Sequence, residues 1–363
     1  MADPYRAAFL RSLKREPLRQ LARLVQFQTR WFSPQRLAAE SALRDAVAAG
    51  RNVARTSGLF RPPPHRYQGY AGPWIEDYFL SHWLRQATDR DLGYLPVFWT
   101  DIFLHAQTHR FTPSQHERFQ REIRALLDET LAVPRCFFTL LEYDHMIWDW
   151  HLFPRNIAVF SAGGWGDVPI PLLKGSPPFS CPPKDLSVSF VGRIDGASDA
   201  GGVRSLMHAA LRDVALFTSG PHWRDVMARS TFSLCPRGLG RASFRLYEAL
   251  SVGSIPIYLW DDIEWLPYRD ELDWAEFSVS LQISRISELP EILRAFSPQR
   301  IVQMQRRIAQ VYTTHFTLPG ACEQIVNTVE RLADRSRFRR LMEARPYLPD
   351  TGAKPKIPDF LRT

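Results

Sequence analysis

The stretch best suited to chemistry runs from Cys235 to Pro256. A predicted strand ends at Cys235, a loop with two glycines and two arginines follows, and a predicted helix begins near Ser243. The free N–H groups and the dipole of a helix start attract anions, and glycine lets a backbone approach a ligand closely. The pattern therefore predicts a cradle for a phosphate or diphosphate. It is neither a Walker A loop nor a GxGxxG fingerprint.

Three arginines could hold the oxygens of such an anion: Arg237, Arg241 and Arg245. The planar guanidinium group offers forked donors that match phosphate geometry. Gly238 in the loop and Ser243 at the helix start would line the same cradle. The sequence thus predicts a compact anion site on one strand–loop–helix unit.

Glu248 follows Arg245 by three residues on the predicted helix. A carboxylate is a poor ligand for phosphate but a good acceptor for ribose hydroxyls, as in dinucleotide-binding folds. A surface ion pair with Arg245 is the simpler interpretation. The residues alone leave both interpretations open.

Strands and helices alternate along the parts of the chain that must position these side chains. This alternation predicts α/β domains with mainly parallel sheets, which bind ligands at the carboxyl ends of their strands. The 363 residues are enough for two domains, predicted at 61–178 and 179–335. A basic helical extension is predicted at 1–60 and a Pro-rich tail at 336–363.

The central run S-F-R-L-Y-E-A-L-x-x-G-x-I-P-I is preceded by L-C-P-R-G and followed by D-D-I-E and L-D-W-x-E-F-S-V. This order resembles the signature of the exostosin family of glycosyltransferases. Looser matches are Phe190–Arg193 with Arg204, and the D-V-x-I-P element at Asp167. The resemblance implies a GT-B fold, with two Rossmann-like domains and a cleft between them. It also implies inverting transfer from a nucleotide sugar, usually UDP-linked, without a tightly bound metal.

The resemblance assigns roles to individual residues. Arg237 and Arg245 match positions expected at the donor diphosphate, and Glu248 matches the carboxylate expected at the ribose. Arg193 is a further diphosphate candidate. The pair Asp261-Asp262 matches the D-D-I-E element, so we interpret it as a loop near the donor and expect neither a metal nor another cofactor.

An inverting transfer needs a base for the acceptor hydroxyl, expected from the N-terminal domain. Asp149 and Asp167 are the leading candidates. Asp149 lies in an aromatic-rich segment with the other candidates Asp144, His145 and His151. Asp167 follows a glycine-rich loop that could reach the cleft. The alternatives are a partly buried polar loop for the first segment and a simple turn residue for Asp167.

Charge is concentrated at the N-terminus. Residues 1–60 hold eleven Lys and Arg against four Asp and Glu, whereas the whole chain has a net charge of +8. Residues 4–28 have the pattern of a basic amphipathic helix, which could lie on an anionic membrane surface or dock on the protein itself. The nearly neutral body argues against nucleic acid as a partner.

No apolar stretch predicts a secretory signal peptide or a transmembrane helix. The four cysteines form no paired motif. Animal and plant members of the family usually carry a membrane anchor in this region. We therefore expect a cytoplasmic protein, peripheral at the inner membrane face, that glycosylates a glycan or lipid-linked acceptor. The alternative from another class is a non-catalytic nucleotide-sugar-binding subunit of a transferase complex.

Overall fold

The computed structural model describes residues 75–85, 91–100, 112–142, 153–173, 175, 177–194, 202–238 and 240–345. These residues divide into two compact units. The first unit contains the described residues up to Ser161, Trp165–Val168 and those from Ile325 onward. The second unit contains Ala162–Gly164 and Pro169–Gln324.

The first sheet has the order β1-β2-β3-β4. Its strands are β1 (Gly93–Tyr94), β2 (Phe137–Leu141), β3 (Ile157–Ser161) and β4 (Val168–Pro169). The pairs β1–β2 and β2–β3 are parallel. Every residue of β2 and β3 is buried, which accounts for their continuous apolar sequence.

The second sheet has the order β6-β5-β7-β8-β9, and all its pairs are parallel. Its strands are β5 (Leu186–Val191), β6 (Leu216–Thr218), β7 (Ser230–Pro236), β8 (Ile255–Trp260) and β9 (Val279–Gln282). The chain goes from β5 to β6 on one side and then returns to β7 on the other. The order of strands therefore reverses between β5 and β7, and ligands in open α/β sheets bind at the carboxyl side of such a switch point.

The helices connect and cover these strands. They are α1 (Ile75–Arg85), α2 (Pro113–Ala132), α3 (Val203–Leu211), α4 (Trp223–Arg229), α5 (Phe244–Ser251), α6 (Leu289–Arg294), α7 (Pro298–His315), α8 (Leu318–Leu332) and α9 (Arg335–Ala344). The connections β5–α3–β6, β6–α4–β7 and β7–α5–β8 are the alternation that the sequence predicts. The prediction of two α/β units with parallel sheets is confirmed.

The structure differs from the predicted elements in three places. The apolar run Leu95–Trp99 predicts a short buried strand. It is buried but forms no strand, since Pro96 has no N–H for a ladder and Val97 N–H bonds back to the carbonyl of Leu95 at 2.9 Å. Strand β6 and helix α4 are present in the structure but were not predicted from the sequence. Helix α9 occupies the start of the segment interpreted as a Pro-rich tail, with Phe338 and Met342 buried.

None of the described helices is both long enough and apolar enough to cross a lipid bilayer. The predicted basic helix over residues 4–28 lies outside the described residues.

Candidate nucleotide-binding site

The carboxyl ends of β5 and β7 bring together the loop residues that the sequence analysis selected. Val191 ends β5 and is followed by Gly192 and Arg193, and Pro236 ends β7 and is followed by Arg237. Two backbone bonds extend the strands into these loops. Gly192 N–H donates to the Thr218 carbonyl at 3.0 Å, and Arg237 N–H donates to the Leu259 carbonyl at 3.0 Å.

Helix α5 begins beside these strand ends. Its N-cap residue Ser243 is extended, with φ −139° and ψ 129°, and its side chain makes no capping bond. The apolar face of α5 is buried, including Leu246 and Leu250, which orients the helix against the sheet. The N–H groups and the dipole of a helix start favour an anionic ligand.

Arg237 is held by two carboxylates rather than by solvent. Its Nη1 donates to Asp261 Oδ1 at 2.5 Å and to Asp262 Oδ1 at 3.3 Å. Its Nε donates to the Gly240 carbonyl at 3.1 Å, and its side chain is 10% exposed. The aspartates follow β8, so the ends of two adjacent strands carry opposite charges that attract one another.

Arg241 is bonded through all of its guanidinium nitrogens. Nε and Nη2 donate to Asp262 Oδ2 at 2.9 and 2.8 Å, and Nη1 donates to the Gly164 carbonyl at 2.6 Å. The Arg241 backbone N–H also donates to the Gly163 carbonyl at 2.9 Å. Gly164 has φ 105°, and a Cβ there would lie 2.5 Å from Arg241 Cβ. Gly163 and Gly164 therefore anchor Arg241 within the second unit.

The same bonds affect the titration of Asp262. Partial burial raises its pKa, but the hydrogen bond from Arg241 and the charges of Arg241 and Arg237 outweigh burial, so the pKa lies below its usual value. Asp262 is therefore anionic at neutral pH and remains a counter-ion for both arginines.

Arg245 and Glu248 form the ion pair that the simpler interpretation predicts. Arg245 Nη1 donates to Glu248 Oε2, and Arg245 Nε donates to the Val191 carbonyl at 2.7 Å. The guanidinium carbon also lies 5.0 Å from the ring centre of Trp223, on α4. The pair is mostly buried, with side-chain exposures of 23% and 12%, and Val191 anchors it at the switch point.

Arg193 and Gly238 belong to the two loops that follow β5 and β7. Arg193 is exposed, and in the described part of the chain its side chain makes no hydrogen bond or ion pair. A Cβ on Gly238 would meet nothing closer than the Ala242 carbonyl oxygen at 3.7 Å and Arg204 Nη2 at 3.9 Å. A side chain of one methyl group at this position would therefore make only ordinary van der Waals contacts with these neighbours.

Asp167 forms a buried ion pair with Arg345. Arg345 Nε donates to its Oδ1 at 2.8 Å, and Arg345 Nη2 donates to its Oδ2 at 2.5 Å. Val159 N–H also donates to Oδ2 at 2.8 Å, and the Asp167 side chain is 1% exposed. Both carboxylate oxygens of Asp167 are therefore bonded within the first unit, and its selection as a base stays a prediction.

The other base candidates, Asp144, His145, Asp149 and His151, lie outside the described residues. Among the residues that are described, no three His, Cys, Asp or Glu side chains gather as metal ligands. Burial raises the pKa of the Cys235 thiol far above its usual value, so this cysteine at the end of β7 is no nucleophile.

Comparison with protein families gives one match to this region: residues 180–296 match the model of the exostosin GT47 domain. The matched segment contains β5 to β9 and the candidate site. The predicted resemblance to exostosin-like glycosyltransferases is therefore confirmed over this segment.

Similar curated proteins match over limited regions. A probable β-1,4-xylosyltransferase of Arabidopsis thaliana is 34% identical over 174 residues, which is 43% of this chain and 41% of that protein. A probable glucuronosyltransferase of rice, Oryza sativa subsp. japonica, is 33% identical over 168 residues, 41% of this chain and 39% of that protein. Exostosin-1 of Drosophila melanogaster is 31% identical over 118 residues, 31% of this chain and 15% of that protein. The matches thus span well under half of these relatives.

Among solved structures, the GtfA/B complex aligns with 59% of this chain and 60% of that chain, at 12% identity and a TM-score of 0.33.

Proposed function

Because residues 180–296 match an exostosin GT47 domain, we propose that this chain is a glycosyltransferase that uses a nucleotide-sugar donor, with UDP as its nucleotide. The acceptor is a glycan or a lipid-linked precursor. The donor diphosphate binds at the carboxyl ends of β5 and β7, against the start of α5.

One observation carries the proposal: the arginines that the sequence analysis selected lie at the topological switch point of the second sheet. Arg193 follows β5, Arg237 follows β7, and Arg245 bonds the last carbonyl of β5. A switch point, a helix start and a group of arginines each favour an anionic ligand for an independent physical reason.

The local charge is consistent with a diphosphate. Five arginines belong to these loops and helices: Arg193, Arg204, Arg237, Arg241 and Arg245. Three carboxylates oppose them, namely Asp261, Asp262 and Glu248. The arginines therefore exceed the carboxylates by two, which matches the two ionised phosphates of a nucleotide sugar.

In the proposed reaction, an acceptor hydroxyl oxygen attacks the anomeric carbon, and the bond from that carbon to the diphosphate oxygen breaks. The electron pair leaves with the nucleoside diphosphate, and a base takes the hydroxyl proton, so the anomeric configuration inverts. Arg237, Arg245 and the start of α5 stabilise the charge that develops on the leaving group. Glu248 accepts the ribose hydroxyls, and no metal is required.

A thermal-shift assay tests the donor site directly. Purified full chain is mixed with millimolar UDP, GDP, CMP or ADP, since a ligand stabilises the fold by RT ln(1 + [L]/Kd). We expect UDP alone to raise the Tm, and the double variant Arg245→Ala/Glu248→Ala to lose this increase. No shift with any nucleotide would contradict the proposal.

A non-catalytic nucleotide-sugar-binding subunit is the second candidate, favoured by the enclosure of Asp167. Such a subunit would bind UDP but would not hydrolyse or transfer a UDP-sugar. Release of UDP from a panel of UDP-sugars, with and without acceptor glycans, separates the two functions.

A further inference from the structure

Arg204 lies between the two loops at the switch point, and in the sequence it was noted only as part of the exostosin resemblance. It lies in the first turn of α3, the helix that follows β5. Its Nη1 donates to the backbone carbonyl of Arg193 at 2.9 Å. Its Nε donates to the backbone carbonyl of Arg237 at 3.4 Å, a longer and weaker bond.

The two bonds connect the two sides of the switch point. Arg193 follows β5 and Arg237 follows β7, so one guanidinium group spans the loops after both strands. These are also the backbones of two proposed diphosphate ligands. Because a guanidinium group is planar and rigid, the two bonds set how far apart the loops are held.

One further contact orients this guanidinium group. Its carbon lies 5.8 Å from the ring centre of Phe190 on β5, within the range of a cation–π contact. Its Nη2 lies 3.9 Å from the point where a Cβ of Gly238 would be. Arg204 thus packs against β5 and lies beside Gly238.

We propose that Arg204 is a positioning residue of the donor site, which holds the backbones of Arg193 and Arg237 at the separation that a diphosphate requires. This inference rests on the proposed function, because it assigns a role within the same site. It predicts an effect on the diphosphate part of the ligand and none on the nucleoside part.

The chain offers a matched control at the opposite end of the same two strands. Arg229 precedes β7 and donates through Nε to Asp185 Oδ1, just before β5, at 2.8 Å. This arginine also links β5 to β7, but at their amino ends and in an exposed ion pair. Its loss removes a link between the strands without affecting the switch point.

The test compares wild type with Arg204→Ala, Arg204→Lys and Arg229→Ala in the full chain. Calorimetry measures the Kd of UDP and of uridine, and thermal unfolding reports folding. For Arg204→Ala we expect UDP to bind at least about tenfold more weakly, which is about 1.4 kcal/mol. We expect uridine binding to stay unchanged. Arg204→Lys keeps the charge but not the fork, so it should restore only part of the UDP affinity.

Other results would overturn the inference. If Arg204→Ala or Arg204→Lys binds UDP as tightly as wild type, Arg204 does not act through the diphosphate ligands. The same conclusion follows if the affinity for uridine falls as much as the affinity for UDP. An equal loss of UDP affinity in Arg229→Ala would show a general effect of joining the strands. If wild type and Arg229→Ala both fold but bind no nucleoside diphosphate, the proposed function fails and this inference fails with it.

Discussion

Two aspartates hold Arg237 and Arg241 of the second unit in place. Asp261 and Asp262 follow β8 and together bond Arg237 and Arg241, whose side chains are only 10% and 11% exposed. Burial of a guanidinium group costs desolvation, which extra hydrogen bonds must offset. Arg241 obtains them from the carbonyls of the glycine loop. The arrangement keeps guanidinium groups ordered at the strand ends, where a diphosphate would otherwise have to order them.

Gly238 gives a prediction at the scale of one methyl group. Gly238→Ala should fold normally, because the new Cβ would lie 3.7 Å from its nearest neighbour and the backbone φ is not left-handed. The methyl group would prevent the proposed diphosphate from approaching the loop backbone closely, so UDP affinity should fall by about tenfold or more. Thermal unfolding and calorimetry measure the two effects.

Gly164→Ala is the comparison for this prediction. Its φ is 105°, and its Cβ would meet Arg241 at 2.5 Å, so this variant should lower the Tm itself. If Gly238→Ala bound UDP like wild type, the diphosphate would not approach this loop.

Glu76 gives a prediction about pH. It is 2% exposed, and it accepts hydrogen bonds from Thr100 Oγ1 at 2.7 Å and from Glu142 N–H at 3.1 Å. Burial outweighs these bonds and raises its pKa from 4.5 to about 8. Because the folded state binds this proton more tightly, its contribution to stability is complete below pH 4.5. The contribution is lost as pH rises to about 8.

We expect the free energy of unfolding of wild type to decrease over this window relative to Glu76→Gln, by on the order of a few kcal/mol. The glutamine stays neutral and still accepts hydrogen bonds. The plot of unfolding free energy against pH for Glu76→Gln therefore lacks the contribution from titration of Glu76. Urea unfolding of both proteins from pH 4.5 to 8.5 measures the difference. Parallel curves would mean that Glu76 is ionised throughout.

At the scale of elements, two buried arginines attach α9 to the first sheet. Arg155 donates to the carbonyls of Met342 and Arg345, at the end of α9. Arg345 donates to the carbonyls of Phe153 and Ile157 at 2.8 and 2.6 Å. The carboxylate of Asp167 neutralises Arg345. The end of α9 is therefore built into the core beside β3.

Arg345→Ala should destabilise the protein by about 3–5 kcal/mol, because it leaves Asp167 charged, buried and unpaired. Arg339→Ala, on an exposed part of the same helix, should cost less than about 1 kcal/mol. Chemical unfolding measures both changes.

Asp167→Asn separates the structural role from a catalytic one. A structural Asp167 predicts a lower Tm with transfer activity that falls only as folded protein is lost. Activity abolished at an unchanged Tm would support Asp167 as a base.

At the scale of the whole molecule, charge is separated along the chain. Residues 1–60 carry seven of the eight excess positive charges, and a polybasic segment gains about 1 kcal/mol per Lys or Arg near an anionic membrane. We propose that residues 4–28 bind such a surface and bring the protein to a lipid-linked acceptor. This would make it peripheral at the inner face of the membrane.

Deletion of residues 1–30 should weaken sedimentation with vesicles containing anionic phosphatidylglycerol. Neutral phosphatidylcholine vesicles are the control, and binding of wild type should fall as salt rises. Equal sedimentation of the deleted and the full chain would contradict this role.

The sequence by itself determined the local parts of the site. Glycines and arginines between an apolar run and an amphipathic run specify β7, the loop and α5, because strand, turn and helix signals depend on neighbours within a few residues. It also indicated the Arg245–Glu248 pair, whose members are three residues apart. The parallel sheets followed from the alternation of strands and helices, and the exostosin resemblance came from residues in one continuous run.

Only the tertiary structure decided what each charged group faces. Arg345 and Asp167 are 178 residues apart, and no local pattern pairs them. The switch point depends on β6, a strand of three residues that is too short to show a strand period. Arg204 meets two backbone carbonyls, which every residue possesses and which leave no mark in the sequence. Long-range pairing and backbone acceptors are properties of the folded chain, so these residues acquire their roles only when the strands are side by side.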